Sequence, residues 1–308
     1  MKKPLLALVF LGLLLGGGFF FSSQCKPIGE SLKIPLYFFW FTDAAVVQVE
    51  IEGRYYAMEI DTGADGWGSL QESALKAVGQ KEYKQMIKFF DVKGNVYEVP
   101  EYLIPSMKIG HLKVENGIIN QEHINFLRYS ASFWKISPNR IKTQLKEVQG
   151  SIGRDFLRQF NCFLDFPHAA LYLTENFQET ERAHKFKNFI SYPFELTDIG
   201  IIFVVETDLG LKRFVLDSDS SFSVIKSDAR STWTTHQLII GNQDYGKWKF
   251  WPLEFGDVLK DVDGILGVDF FRQYAIDIDF ENRVAYVEPP HGFMLRVWRD
   301  VCNWWYCL

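Results

Sequence analysis

Two aspartates in this chain follow short apolar runs and precede a small hydroxyl residue. Asp61 comes directly after Ile60 in MEIDTGADG, and Asp217 comes directly after Leu216 in RFVLDSDSS. A carboxyl group at the end of a strand can serve as a general acid or base. A single Asp-Thr-Gly is weak evidence, because the same residues form ordinary turns. The rest of the chain must therefore decide between a turn and a site.

An internal repeat places the two aspartates in equivalent positions. The 24 residues that start at Gly150, GSIGRDFLRQFNCFLDFPHAALYL, share nine identities with the 24 that start at Gly264, GILGVDFFRQYAIDIDFENRVAYV, at an offset of 114. Between each aspartate and its segment lies an apolar–glycine pair, at 109–110 and at 240–241. The same landmarks in the same order indicate two copies of one structural unit.

The elements that must position the aspartates are mainly strands. AVVQVEIEGRYYAMEI and GIIFVVETDLGLKRFVL alternate between apolar and polar residues, which predicts hairpins that turn at 52–53 and 209–210. Only the first half contains FFDVKGNVYEVPEYLI, which alternates around 93–95 and predicts a further β-hairpin. Residues 121–149 predict a small helical insertion in the same half.

Composition excludes several other classes of protein. The chain has 308 residues, of which 47% are hydrophobic and 23% charged, so we expect one large or two medium folded domains. The net charge of -5, without a basic stripe, gives no reason to expect a nucleic-acid partner. The six histidines show no metal-ligand spacing, and neither a serine-hydrolase motif nor a nucleotide-binding loop is present.

The N-terminal segment predicts export. Two lysines precede an apolar run from Leu5 to Phe21, which is typical of a signal peptide or an uncleaved membrane anchor. We therefore exclude residues 1–25 from the fold. The expected location is extracytoplasmic: periplasmic, secreted, or anchored to the membrane by this segment.

The cysteines fit an oxidising compartment. Cys302 and Cys307 bracket the aromatic stretch NWWY and are candidates for a short disulfide. The alternative is that all four cysteines are structural thiols. For Cys162, inside the apolar stretch NCFLDF, a buried thiol is the better interpretation.

Four motifs in order give the chain a specific resemblance. They are Asp61-Thr62-Gly63-Ala64, Gly150-Ser151-Ile152-Gly153, Asp217-Ser218-Asp219-Ser220 and Gly264-Ile265-Leu266-Gly267. Over roughly residues 33 to 290 the chain resembles the bacterial-type aspartic peptidases, in which a retropepsin-like unit is duplicated into a pepsin-like, two-lobed single chain. The resemblance implies an all-β fold with two homologous closed β-barrel lobes and a small helical insertion in the first lobe.

The resemblance and the repeat together predict the domain organisation. The predicted units are a signal peptide or anchor (1–25), an N-terminal lobe with a flap (26–175), a linker (176–190), a C-terminal lobe (191–290) and an aromatic tail (291–308).

The same resemblance assigns roles to site residues. It implies that Asp61 and Asp217 are catalytic: they share one proton, activate a water molecule and protonate the peptide carbonyl, without metal or cofactor. Two hydroxyl residues would brace the opposite loops, and glycine would let the backbone approach the carboxyl pair. The supporting positions are Thr62, Gly63, Ser218 and Asp219. The hairpin around 93–95 would be the flap over the substrate, with either Phe90 or Tyr97 as its covering aromatic residue.

The pattern departs from the family at position 219, where Asp replaces glycine. Because Asp tolerates positive φ better than most residues, we expect the loop to keep its shape. A third carboxylate would raise the pKa values of the pair, which predicts a less acidic pH optimum. Asp155 and Asp269, which follow the Gly-x-apolar-Gly motifs, are expected to cap short helices.

The predicted function is therefore that of a monomeric aspartic endopeptidase whose substrate is an extended peptide or protein between the lobes. The alternative is a catalytically inactive pseudoprotease, or an envelope protein, that binds peptides on the same fold. A third possibility is a homodimer in which two first lobes pair and the second lobe is scaffold.

Overall fold

The structure is a computed structural model. It describes residues 31–38, 44–122, 148–175, 185–228 and 231–290. The segment 1–25, most of the predicted helical insertion, and the tail with Cys302 and Cys307 lie outside the described residues. Within the described part of the chain, every helix is too short or too polar to cross a membrane.

Strands make up nearly all of the regular structure. The first half contains β1 (Ser31–Pro35), β2 (Tyr37–Phe38), β3 (Ala45–Ile51), β4 (Arg54–Ile60), β5 (Gly68–Leu70), β6 (Glu82–Phe90), β7 (Val96–Ile109), β8 (Leu112–Gln121), β9 (Gly150–Ile152), β10 (Asn161–Asp165) and β11 (Ala170–Thr174). The second half contains β12 (Ile190–Pro193), β13 (Glu195–Thr197), β14 (Gly200–Thr207), β15 (Gly210–Leu216), β16 (Val224–Lys226), β17 (Trp233–Thr235), β18 (Leu238–Ile240), β19 (Gln243–Asp244), β20 (Trp248–Leu253), β21 (Gly264–Leu266), β22 (Ile276–Asp279) and β23 (Val284–Val287). Within the described residues, the α-helices are α1 (Glu72–Ala77), α2 (Arg154–Leu157) and α3 (Val268–Phe271), and single 3-10 turns span Phe166–His168 and Asp257–Leu259. The predicted all-β class is confirmed.

Each half builds one large sheet with the same internal crossing. The first sheet has the strand order β2-β3-β4-β9-β5-β8-β7-β6, and β3 also pairs with β7, which closes the sheet on itself. The second has the order β17-β20-β16-β21-β15-β14-β18-β19, with β13 added to β14. In the first lobe β4 is parallel to β9, and in the second β15 is parallel to β21. The two lobes are therefore barrel-like copies of one plan, as the resemblance implies.

A third sheet joins the two halves. Its order is β1-β11-β10-β22-β23-β12, so each half contributes three strands. The central pair, β10 and β22, is antiparallel, with Phe163 opposite Asp277. Cys162 lies fully buried in β10, as predicted for an apolar strand residue. The spatial order of the strands mirrors about the β10–β22 pair, which reproduces the sequence repeat.

Two repeated glycines permit the crossing at the centre of each lobe. A methyl group on Gly150 would lie 2.1 Å from the Ser69 carbonyl oxygen, and one on Gly264 would lie 2.3 Å from that of Val224. Both distances are far below van der Waals contact, so only glycine lets the neighbouring strand approach. The Gly-x-apolar-Gly motif is thus a packing requirement of the crossing that supports each aspartate.

The hairpin around 93–95 is present as predicted, with β6 and β7 as its strands. The side chain of Asp91, which is 3% exposed, organises its turn. The Asp91 carboxylate accepts hydrogen bonds from the backbone amides of Lys93 and Asn95, at 3.0 and 2.9 Å. A buried acceptor bonded to the turn amides fixes the shape of the hairpin tip.

Candidate functional site

The two aspartates leave their strands at equivalent places. The Asp61 amide donates a 2.9 Å hydrogen bond to the Ile152 carbonyl, and the Asp217 amide donates a 3.0 Å bond to that of Leu266. Each bond continues the parallel pairing of the strand that crosses behind the aspartate. The duplicated crossing therefore fixes both aspartates in the same way.

Each loop then holds one oxygen of its own carboxylate. Asp61 Oδ1 accepts from the amides two and three residues further on, at 2.9 and 2.8 Å. Asp217 Oδ1 accepts from the corresponding amides at 2.9 and 3.1 Å. These bonds orient each carboxyl group and use only Oδ1, so that Oδ2 of each remains for chemistry.

Thr62 and Ser218 brace the two loops against each other. Thr62 Oγ1 donates to the Leu216 carbonyl at 2.8 Å and accepts from the Ser218 amide at 2.9 Å. Reciprocally, Ser218 Oγ donates to the Ile60 carbonyl at 2.6 Å and accepts from the Thr62 amide at 3.0 Å. Both side chains are fully buried. The brace fixes the loops of the two lobes relative to each other.

The brace brings the two carboxyl groups together within one chain. A methyl group on Gly63 would lie only 2.7 Å from Asp217 Cγ, so the first-lobe loop contacts the second-lobe carboxyl group directly. Burial and then the charge of Asp217 raise the pKa of Asp61 well above its usual range. Burial also raises the pKa of Asp217. One chain therefore brings the two aspartates together, and the homodimer alternative stays a prediction.

A buried arginine supports the pair from the first lobe. Arg154, which is 3% exposed, donates through Nη1 to the Gly63 carbonyl at 2.9 Å and through Nη2 to the Asp198 carbonyl at 2.9 Å. Its positive charge partly offsets the burial that raises the pKa values of the two aspartates. The repeat places Val268 at the equivalent position of the second half, so this cation is particular to the first.

Asp219 is accommodated for a different reason from the predicted one. Neither Gly63 nor Asp219 has a positive φ angle, so the expectation that Asp219 survives by tolerating left-handed backbone is wrong. The Asp219 side chain instead hydrogen-bonds Glu59 on β4 of the opposite lobe. Burial and then the charge of Glu59 raise the pKa of Asp219, and Asp219 contributes to the raised pKa of Asp61.

Glu59 is the main feature that the prediction missed. It is 6% exposed, and burial, followed by the charges of Glu122 and Asp61, raises its pKa to about 8. A comparison of the two copies of the repeat could have identified Glu59 as unusual, because the equivalent residue, two before Asp217, is the apolar Val215. Glutamate in one copy therefore stands at the position where the other copy has valine. Such a departure from the shared pattern is expected at functional or strained positions.

The flap reaches the second lobe through a residue that was not predicted. Phe90 is 47% exposed, while Tyr97 stacks on Phe89 and donates to Asp91 at 3.1 Å. The contact with the second lobe is made at the turn, where the Val92 carbonyl accepts a 2.9 Å hydrogen bond from the Gly256 amide. The flap tip thus rests on the opposite lobe.

The helix-capping roles expected for Asp155 and Asp269 are wrong. Glycines at 153 and 267 are the N-cap residues, and the aspartates lie inside the first turn. Asp155 forms an ion pair with Arg158 at 3.1 Å. Asp269 accepts from the Ser223 hydroxyl at 2.7 Å, and burial raises its pKa to about 6.

Comparison with known proteins supports the architecture. No protein-family model matches this chain, and no curated protein matches it at a significant level. Among solved structures, the chain is similar to the crystal structure of an aspartic proteinase from Irpex lacteus, with a probability of 1.00, a TM-score of 0.52 and 10% sequence identity. The fold is pepsin-like. The match covers 85% of this chain and 98% of that proteinase. A likeness at this identity concerns the fold, so an activity has to be argued from the site.

Proposed function

We propose that this chain is an aspartic endopeptidase, in which a water molecule between Asp61 and Asp217 attacks the carbonyl carbon of a peptide bond. The observation that carries the proposal is the pair itself: two partly buried carboxyl groups, one from each lobe, held together by the reciprocal Thr62–Ser218 brace.

The chemistry follows from the raised pKa values of the pair. Two adjacent buried carboxyl groups cannot both ionise cheaply, so they hold one proton between them at mildly acidic pH. The ionised group removes a proton from the water as it attacks. The protonated group donates its proton to the carbonyl oxygen, where negative charge develops. Collapse of the tetrahedral intermediate then releases an amine and a carboxylic acid, and the pair returns to one shared proton.

The substrate that fits this geometry is an extended peptide lying between the lobes, covered by the hairpin of β6 and β7. We further propose that the enzyme works as a monomer in an extracytoplasmic compartment, that its N-terminal segment directs export, and that its duplication is of the bacterial retropepsin-like type. These parts of the proposal rest on the sequence.

Cleavage of an unfolded protein by the purified full-length chain tests the activity, beside the Asp61→Asn and Asp217→Asn variants. Both variants should lose about 10²- to 10⁴-fold in rate, because each removes one member of a general acid–base pair. Thermal melting of the variants controls for folding. Activity that survives Asp217→Asn would contradict a dyad formed within one chain and support pairing of two first lobes.

The alternative, a peptide-binding pseudoprotease or envelope protein, is favoured by one observation. Asp219 adds a third carboxyl group beside the pair, and its charge raises the pKa of Asp61 further. If the parent protein cleaves nothing but a statine-type inhibitor still raises its melting temperature, the cleft binds peptides without catalysis.

A further inference from the structure

Four polar residues lie side by side across the first-lobe sheet. In register, Glu59 on β4 pairs with Ser151 on β9, Ser151 with Ser69 on β5, and Ser69 with Asn120 on β8. Residues paired directly across neighbouring strands point to the same face of a sheet. The 3.0 Å contact between the Ser69 and Ser151 hydroxyls confirms the shared face. Glu122, two residues beyond Asn120, extends this set, which we call the polar row.

The polar row ends in acceptors that have no donor. Asn120 Oδ1 and Glu122 Oε2 are fully buried and make no hydrogen bond to any residue in the described part of the chain. Glu122 also interacts electrostatically with Glu59 and with Asp219 of the opposite lobe. Buried acceptors without donors are rare, because each costs the free energy of its lost hydration. A donor from outside the described part of the chain would satisfy both atoms.

The second lobe provides an internal comparison, because its equivalent residues are apolar. The corresponding register runs from β15 through β21 and β16 to β20, and Leu253 stands where Glu122 stands in the first lobe. Its members are Val215, Ile265, Val224, Trp251 and Leu253. The same framework therefore folds with hydrophobic side chains at these positions. The fold therefore does not require acidic residues at these positions, and their presence is specific to the first lobe.

The position and chemistry of the polar row select the kind of ligand. Glu59 interacts with Asp61, and Asp219 with Asp217, so the row adjoins the carboxyl pair. Within the described residues, no three acidic, histidine or cysteine side chains are placed to hold a metal ion. Separated carboxyl and amide acceptors suit an organic cation with several N–H donors, such as an ammonium or guanidinium group.

We propose, on the basis of the endopeptidase function above, that the polar row binds the side chain of a lysine or arginine next to the scissile peptide bond. The ammonium or guanidinium group donates to Glu122 Oε2 and Asn120 Oδ1 and lies beside Glu59 and Asp219. The enzyme is accordingly selective for substrates with a basic residue on one side of the cleaved bond.

Protonation of the polar row makes this preference dependent on pH. Burial raises the pKa of Glu122 to about 7, and that of Glu59 to about 8 with contributions from Glu122 and Asp61. The other charged groups around these two glutamates and the carboxyl pair are those of Asp61, Asp217, Asp219 and Arg154. Both glutamates are protonated in acid, so a bound cation must displace protons from them. The preference for a basic residue therefore increases from about pH 5 to about pH 8.

Matched peptides test the proposal. Two sets of three peptide substrates are compared. In one set the residue before the scissile bond is lysine, arginine or norleucine, and in the other set the residue after the bond varies in the same way. The full-length chain should cleave the lysine and arginine peptides with a kcat/KM about tenfold or more above that of the norleucine peptide, for at least one side. Equal values, or a preference for norleucine on both sides, would overturn the proposal.

Variants assign the preference to the polar row. Glu122→Gln should lower the ratio of kcat/KM for the lysine peptide to that for the norleucine peptide about tenfold, with the change mainly in KM of the lysine peptide. Glu115→Gln, on the exposed face of the same strand, is the matched control and should change neither value. If Glu122→Gln lowers kcat for both peptides equally, the residue has a general structural role and the proposal fails.

Binding to the Asp61→Asn variant separates this inference from the endopeptidase function. If no peptide is cleaved by the parent protein, the endopeptidase proposal fails by itself. Calorimetry should still show tighter binding of the lysine peptide than of the norleucine peptide, and the additional Glu122→Gln substitution should remove the difference. Equal binding of the two peptides, or no binding, would overturn the cation site.

Discussion

Glu59 shows how one residue can set the pH response of the whole molecule. Its carboxyl group is buried between the lobes and its pKa is raised to about 8. The folded protein therefore keeps a proton on Glu59 over a pH range in which the unfolded chain has lost it. Where the folded state binds more protons, the free energy of unfolding falls as pH rises.

We expect the Glu59→Gln variant to lose the part of this pH dependence that Glu59 contributes. That part should be a fall in the free energy of unfolding of roughly 1 kcal/mol per pH unit between about pH 4.5 and pH 8, added to the falls from the other carboxyl groups whose pKa values are raised. Glutamine keeps a hydrogen-bonding group beside Asp219 but does not ionise, so the slope should become shallower. Urea unfolding at several pH values measures it, with Glu115→Gln as the control. Identical slopes in all three proteins would contradict the burial of an ionisable group here.

The residue scale is also where sequence and structure diverge most. Asp61, Asp217 and their hydroxyl neighbours could be located from the sequence, because the repeat marks them twice. Glu59 and Arg154 could not be assigned partners, because their contacts depend on how two lobes meet. Asp219 was recognised as unusual, but its partner is a residue 160 positions away on another strand. Local sequence patterns indicate which backbone conformation a segment prefers. They do not indicate which charged residues far apart in the sequence come into contact.

At the scale of elements, the two aspartate loops act as one unit. Each loop receives hydrogen bonds from its own backbone and from the hydroxyl of the opposite loop. Because Thr62 Oγ1 is both donor and acceptor in buried surroundings, its loss leaves the Ser218 amide and the Leu216 carbonyl unsatisfied.

Thr62→Ala should therefore cost about 2 to 4 kcal/mol of stability and lower any peptidase activity with it. Ser218→Ala should behave similarly, and the double variant should cost less than the sum of the two, because both remove one network. Chemical unfolding of the three variants checks this. Thr197→Ala is the matched control, since that hydroxyl bonds only within its own hairpin at 3.2 Å. Additive costs for Thr62 and Ser218 would show that the brace is not a single unit.

Element patterns were largely predictable, and the reason is local. Alternation predicted the hairpins of β3–β4, β14–β15 and β6–β7, and the repeat predicted two copies of one structural unit. Most of the helical insertion and the tail lie outside the described residues, so the helix and the disulfide expected there stay predictions. The docking of the flap turn through Val92 was not predictable, because it depends on the position of a loop in the other lobe.

For the whole molecule, the turn of the flap hairpin connects the first lobe to the second. Val92 packs against a cluster of the second lobe that includes Val215, Val224 and Ile265. Gly256 approaches so closely that a methyl group there would lie 2.3 Å from the Lys93 carbonyl carbon. In the proposed endopeptidase function, a peptide that lies under this hairpin requires the contact to open, so the opening would be a conformational step of the cycle.

Gly256→Ala should separate the flap tip from the second lobe without unfolding either. The φ of Gly256 is -75°, which alanine adopts freely, so the steric effect falls on the flap alone. Hydrogen exchange of the turn at 91–95 and of the residue 256 amide should become faster. Gly79→Ala, in an exposed loop of the first lobe, serves as the comparison. Unchanged exchange in Gly256→Ala would mean that flap and lobe are not in contact in solution.

The two copies of the repeat carry different side chains beside their aspartates. Two identical subunits around an axis would offer a peptide the same surroundings in both directions, so its chain could bind either way round. Here the residues beside the aspartates are acidic in the first lobe and aliphatic or aromatic in the second. If the polar row binds the substrate as proposed, a peptide with one basic and one apolar residue beside its scissile bond would bind in a single N-to-C direction.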